Sequence, residues 1–87
     1  MMENLTIEES ITSNKKEIGS YRLTLESAWE SESELEYDSL YELCNGYNFH
    51  KWEKQYKTRA FIDYIDGSHF ELSSYEVNKV LKLLGVN

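Results

Sequence analysis

Apolar and polar residues change their period several times along this chain, and each change marks an element. Between Ser20 and Trp29, Tyr21, Leu23 and Leu25 alternate with Arg22, Thr24 and Glu26. That is the period-two pattern of a half-buried strand, and it predicts one over 20–28. A helical period follows. Tyr37, Leu40, Tyr41 and Cys44 stand at i, i+3, i+4 and i+7, with Leu43 and Tyr47 widening the apolar face. Ser31 before Glu34, or Ser33 before Glu36, has capping-box form, and Asn45–Gly46 has the form of a left-handed stop. A helix over 33–45 is expected.

Residues 56–65 are rich in aromatic and β-branched types and read as a second strand. Asp66–Gly67 suits a two-residue hairpin turn, and 68–72 returns as a third strand. In that register Phe61 pairs with Leu72 and Tyr64 with His69, leaving apolar surface on both faces. The clearest local signal is C-terminal. Ser73 and Glu76 form a capping box, Leu72 and Val77 a staple around it, and Val77, Val80, Leu81 and Leu84 a stripe ended by Gly85. A helix over 74–84 follows. Residues 1–17 offer only Ile7 and Ile11 as an apolar face, which predicts a weak helix or a partly flexible segment. The order describes a single α+β domain: a three-stranded, mostly antiparallel sheet with two to three helices, closing in a ββα unit.

Length and composition add bounds. An 87-residue chain that is 40% apolar can bury a small core, to which seven Tyr, three Phe and two Trp contribute large areas. No apolar run is long enough to span a membrane, and "MMENLTIEES" lacks the form of a secretory signal. A lone Cys44 cannot make an internal disulfide. The expectation is an intracellular, cytoplasmic protein with a buried thiol and no membrane partner.

Charge changes the picture most. The formal net charge is −7. From Leu23 to His50 there are seven acids (Glu26, Glu30, Glu32, Glu34, Glu36, Asp38, Glu42) and no Lys or Arg, while the remaining nine acids and nine bases cancel. A charge so placed directs a field toward oppositely charged partners. In a helix, Glu30, Glu34, Asp38 and Glu42 would share one row, at a cost of about 0.6–1.5 kcal/mol for the like-charge neighbours. In an extended chain, Glu30, Glu32, Glu34, Glu36 and Asp38 would line one face about 6.6–6.8 Å apart. Either conformation gives a regular anionic row bordered by Tyr37, Tyr41 and Tyr47, residues of the kind favoured at interfaces. The expected partner is a larger protein with a Lys/Arg-rich, nucleic-acid-binding groove, inhibited by charge mimicry. In size and one-sided charge the chain is similar in style to virus-encoded nuclease inhibitors, including anti-CRISPR proteins, and to nuclease immunity proteins. That likeness lies in composition and transfers no residues.

Two other readings compete. Trp52, Phe61 and Tyr64 could bury against a second copy, giving a homodimer. Alternatively, Lys51, Lys54, Lys57 and Arg59, interleaved with Trp52 and Tyr56, are the parts of a single-strand nucleic-acid binder across 51–64, although the overall charge opposes direct nucleic-acid binding. Cys44, His50 and His69 lack metal-ligand spacing, and no nucleophile–base set or phosphate loop stands out. No catalytic residue, metal or cofactor is expected.

Overall fold

The structure, a computed structural model, describes residues 7–12, 15–28 and 32–85. Along the chain run α1 (Ile7–Thr12), β1 (Ile18–Glu26), β2 (Ser33–Tyr37), α2 (Leu40–Asn48), a π-helical turn (Phe49–Glu53), β3 (Lys57–Tyr64), β4 (His69–Leu72) and α3 (Ser74–Leu83). The fold is α+β. Its sheet is antiparallel throughout and has four strands rather than three, in the order β2-β1-β3-β4, with the helices packed on one face.

The extra strand occupies the start of the expected 33–45 helix. Leu35 pairs with Leu23 and Tyr37 with Tyr21. Period two wins here because it sets Leu35 and Tyr37 against the core while Glu34 and Glu36 face water. A helix over the same residues would stack carboxylates at i, i+4. Helix α2 begins only at Leu40, behind Ser39, whose Oγ accepts the Glu42 amide at 3.1 Å. Such a cap contributes about 0.5–2 kcal/mol. Leu40, Leu43, Cys44 and Tyr47 form its buried side, whereas Tyr41, expected on that side, is 42% exposed.

Gly46 does not end the helix. The chain stays helical through it to Asn48 and on into the π-helical turn, and positive φ among the glycines is confined to Gly67 and Gly85. What Gly46 provides is room. A Cβ there would stand 2.7 Å from Cζ of Tyr37, so the last ring of β2 seats directly on α2.

The β3–β4 hairpin is shifted by one residue from the expected register. Ala60 pairs with Leu72, Phe61 with Glu71, Ile62 with Phe70 and Asp63 with His69. The turn has three residues, 65–67, closed by the Tyr64 amide on the Ser68 carbonyl at 2.9 Å, with Gly67 at φ 92°. This is the hairpin loop that ends in a left-handed residue. A one-residue slip exchanges the faces of a strand. Ala60, Ile62 and Tyr64 therefore join the core, and Phe61 lies on the other side of the sheet.

Helix α3 starts with both bonds of its capping box, Glu76 N–H to Ser73 Oγ (3.2 Å) and Ser73 N–H to Glu76 Oε1 (2.8 Å). The core lies between the sheet and the helices, where Leu23, Leu43, Ile62, Leu72, Val77 and Val80 are fully buried. Each such side chain contributes about 1.5–3 kcal/mol of transfer free energy. Cys44 belongs to this core, and burial pushes its thiol up to about 12.

Candidate protein-binding surfaces

Strand β2 is an edge strand, and its solvent side is anionic. Glu32 precedes it, Glu34 and Glu36 project from its outer face, and Asp38 follows it; all are exposed. Nearby cations are few. Arg22 on β1 approaches Glu34 at 3.8 Å, but its guanidinium is already committed to Asp63 through two hydrogen bonds of 2.8 and 3.0 Å. Among the described residues Glu32, Glu36 and Asp38 make no ion pair. The extended form of the acidic row is thus the one present over 33–37. Glu30 lies outside the described residues, and Glu42 stands apart on α2, in its first turn beside Ser39.

The tyrosines expected to border this row are dispersed. Tyr37 packs inward against Gly46. Tyr47 is buried at 5%, its hydroxyl shared with Ser74 Oγ (2.8 Å) and Lys51 Nζ (3.0 Å). Tyr41 alone is open to solvent, on α2 beside Glu42. The structure therefore divides the predicted set into a β2 group (Glu32, Glu34, Glu36) and a group at the start of α2 (Asp38, Tyr41, Glu42).

Among the described residues no helix covers the outer face of the sheet, yet it is closed by its own side chains. Phe61 is only 6% exposed. Arg22 lies 4.3 Å and Arg59 5.3 Å from its ring centre, and His69 meets it edge-on at 5.4 Å. Each guanidinium is pinned by a bidentate carboxylate, Arg22 by Asp63 and Arg59 by Glu71 at 2.8 and 2.9 Å. Bidentate pairs of this kind fix orientation as well as charge. Hydrogen bonds from Arg22 hold the Asp63 carboxyl below the usual carboxylate range, and those from Arg59 do the same for Glu71.

The helical layer is the opposite case. Tyr41, Phe49, Trp52, Tyr75, Leu83 and Leu84 are all exposed there, Trp52 at 67% and Tyr75 at 73%. Lys51 ties the π-helical turn to α3, donating to Ser74 Oγ at 2.8 Å with its ammonium 5.4 Å from the Trp52 ring. Lys54 lies 5.5 Å from the ring of Phe49. A groove of about 440 Å³ is lined, among the described residues, by Tyr75, Asn78, Lys79, Lys82 and Leu83. Lys54, Lys79 and Lys82 make no ion pair among the described residues. Phe49, Tyr75 and Leu83 were not singled out by sequence. The available signal was their position off the buried stripes, since Tyr75 and Leu83 fall outside Val77, Val80 and Leu81.

The proposed dimer residues Trp52, Phe61 and Tyr64 occupy three environments: solvent, the Arg-covered sheet face and the core. The basic segment 51–64 is likewise divided, because Lys57 faces Glu26 at 3.9 Å and Arg59 is held by Glu71. No cluster of three His, Cys, Asp or Glu able to hold a metal exists among the described residues. No helix of the described residues is long and apolar enough to cross a membrane. The fold and its exposed surfaces define a small α+β protein with an anionic edge strand and exposed rings on its helical layer. Compared with protein-family models, curated proteins and solved structures, the chain has no match.

Proposed function

We propose that this protein is a binding module without catalysis of its own, whose β2 edge docks on the Lys/Arg-rich groove of a larger protein and keeps nucleic acid out of it. The observation that carries this reading is the placement of Glu34 and Glu36 on an outermost strand, with Glu32 just before it, whose nearest guanidinium is already engaged by Asp63. Carboxylates on alternate strand residues repeat every 6.6–6.8 Å or so. That is about twice the 3.4 Å rise per nucleotide of one duplex strand, so one carboxylate stands at every second phosphate step. An anionic edge also resists pairing with the same edge of another copy, which keeps it free for a cationic partner. The field of the net −7 steers such a partner in.

The test uses a triple variant, Glu32→Gln, Glu34→Gln and Glu36→Gln. Wild-type protein should capture its partner from host lysate at low salt, release it as salt shortens the field, and displace nucleic acid from the isolated partner. The triple variant should do neither, with a melting temperature equal to or above that of the wild type. Undiminished displacement by the triple variant would sink the proposal.

A further inference from the structure

We infer that α2 and the π-helical turn that continues it form a two-fold self-association surface, on which a second copy of this chain packs antiparallel. The Asp38–Glu42 end of one copy then meets the Lys51–Lys54 end of the other. This inference uses none of Glu32, Glu34 or Glu36 and stands independently of the β2 edge.

Residues 40–53 are helical without a break, a rod about 20 Å long at 1.5 Å per residue. Its inner side is spent on the core through Leu40, Leu43, Cys44 and Tyr47. Its outer side exposes Tyr41, Asn45, Phe49 and Trp52, spaced by four, four and three residues. Three large rings in a line on a helix exterior are unusual for a surface that meets only water, and Tyr and Trp are the residues that most often anchor interfaces.

Charge selects the occupant. Asp38 and Glu42 flank the start of the rod, while its end carries Lys51 and Lys54 with Glu53 between them, a net charge of +1, and uncharged Asn45 lies in the middle. A second rod laid parallel would put Glu42 beside Glu42 and Lys54 beside Lys54. Laid antiparallel about a two-fold axis, the Asp38–Glu42 end faces the net-positive Lys51–Lys54 end, Tyr41 faces the Phe49–Trp52 pair, and the helix dipoles oppose. Asn45 then sits near its own copy at the axis, where a short uncharged side chain allows close approach. The lysines are already oriented, Lys51 by Tyr47 and Ser74 and Lys54 over Phe49, so less freedom is lost on docking.

Sedimentation equilibrium on the full chain tests this, from about 10 μM to about 1 mM. The expected mass rises from 10.3 kDa toward twice that value as concentration increases. Asn45→Arg puts like charges together at the axis and should raise the dissociation constant tenfold or so, with an unchanged circular dichroism spectrum. Glu42→Lys and Lys54→Glu should each weaken the dimer, and an equimolar mixture of the two should restore it, because each swapped end then meets its complement. Three results overturn the inference: a wild-type monomer across the whole range, a dimer unmoved by Asn45→Arg, or a charge-swapped mixture that stays monomeric.

Discussion

On the outer face of the sheet, Phe61 is 6% exposed with no helix of the described residues above it; on the helical layer, Trp52 is 67% exposed although it lies in the π-helical turn that continues α2. Both rings have a cation nearby, so ring and charge alone do not decide the outcome. The difference is in the cation and its anchor. Arg22 and Arg59 are planar, lie over Phe61 and are each fixed by a carboxylate on the adjacent strand. Lys51 and Lys54 are point charges held by hydroxyl groups or by the ring alone. A guanidinium with a bidentate partner makes a lid, whereas an ammonium leaves the ring open. A partner docking directly over Phe61 would have to desolvate pairs that are already satisfied, whereas Glu36 and Glu34, farther along the same face on the edge strand, lie beside that lid. On the helical layer a partner would meet exposed rings, and lysines that no carboxylate of the described residues holds.

The largest test of that contrast is truncation of the two rings. Phe61→Ala should destabilise by about 3 kcal/mol, as for a buried aromatic. Trp52→Ala should stay within about 0.5 kcal/mol, as for an exposed one. Urea unfolding followed by far-ultraviolet circular dichroism reads both. Equal losses would mean that the Arg lid does not bury Phe61 in any energetic sense. Next in size is Gly46→Ala, which should cost about 1–3 kcal/mol by pushing the Tyr37 ring off α2. In a double-mutant cycle, Tyr37→Leu should absorb much of that cost, because the two positions touch. Independent, additive effects would show that β2 is not seated through this contact.

How far the sequence revealed this arrangement depends on the element. The capping box at Ser73 and the stripe of α3 are local patterns; the box is present as written, and the stripe is buried through Val77, Val80 and Leu81, whereas Leu84 caps the helix and is exposed. Strand β1 is legible for the same reason, its alternation being complete within a few residues. Residues 33–37 satisfied a helical and an extended template together, and only pairing with Leu23 and Tyr21 on β1 decides between them. Gly46 looked like a stop because its purpose is set by Tyr37, nine residues earlier in the chain and on another element. The hairpin register turned on whether Ile65 belongs to the strand or to the turn, and one residue of error moved Phe61 across the sheet. The segregated charge was visible as a total, but its division between the β2 edge and the start of α2 required the helix boundary at Ser39. The exposed rings of the helical layer were hardest to foresee, since exposure is a property of packing and not of residue type.

The smallest expected effect is also the most local. Asp63 and Glu71 titrate below the ordinary carboxylate range because Arg22 and Arg59 hydrogen-bond their charged forms. A folded-state value depressed below the unfolded one, about 3.9 for Asp and 4.3 for Glu, gives stability that is present above those values and lost as pH falls through the folded values. Acid should therefore loosen the lid over Phe61, beginning near pH 4 and progressing below it, while leaving the rings of the helical layer unaffected. For the Arg22–Asp63 pair the loss should be about 1 kcal/mol or less, since both side chains retain contact with water. Proton NMR separates the regions: Phe61 ring signals should shift across the acid titration while the Trp52 indole N–H does not. Asp63→Asn should remove part of the Phe61 response and flatten the acid limb of the melting curve. If Phe61 and Trp52 responded together, acid would be loosening the whole fold rather than the Arg lid, and the two faces would not differ in the way their cations suggest.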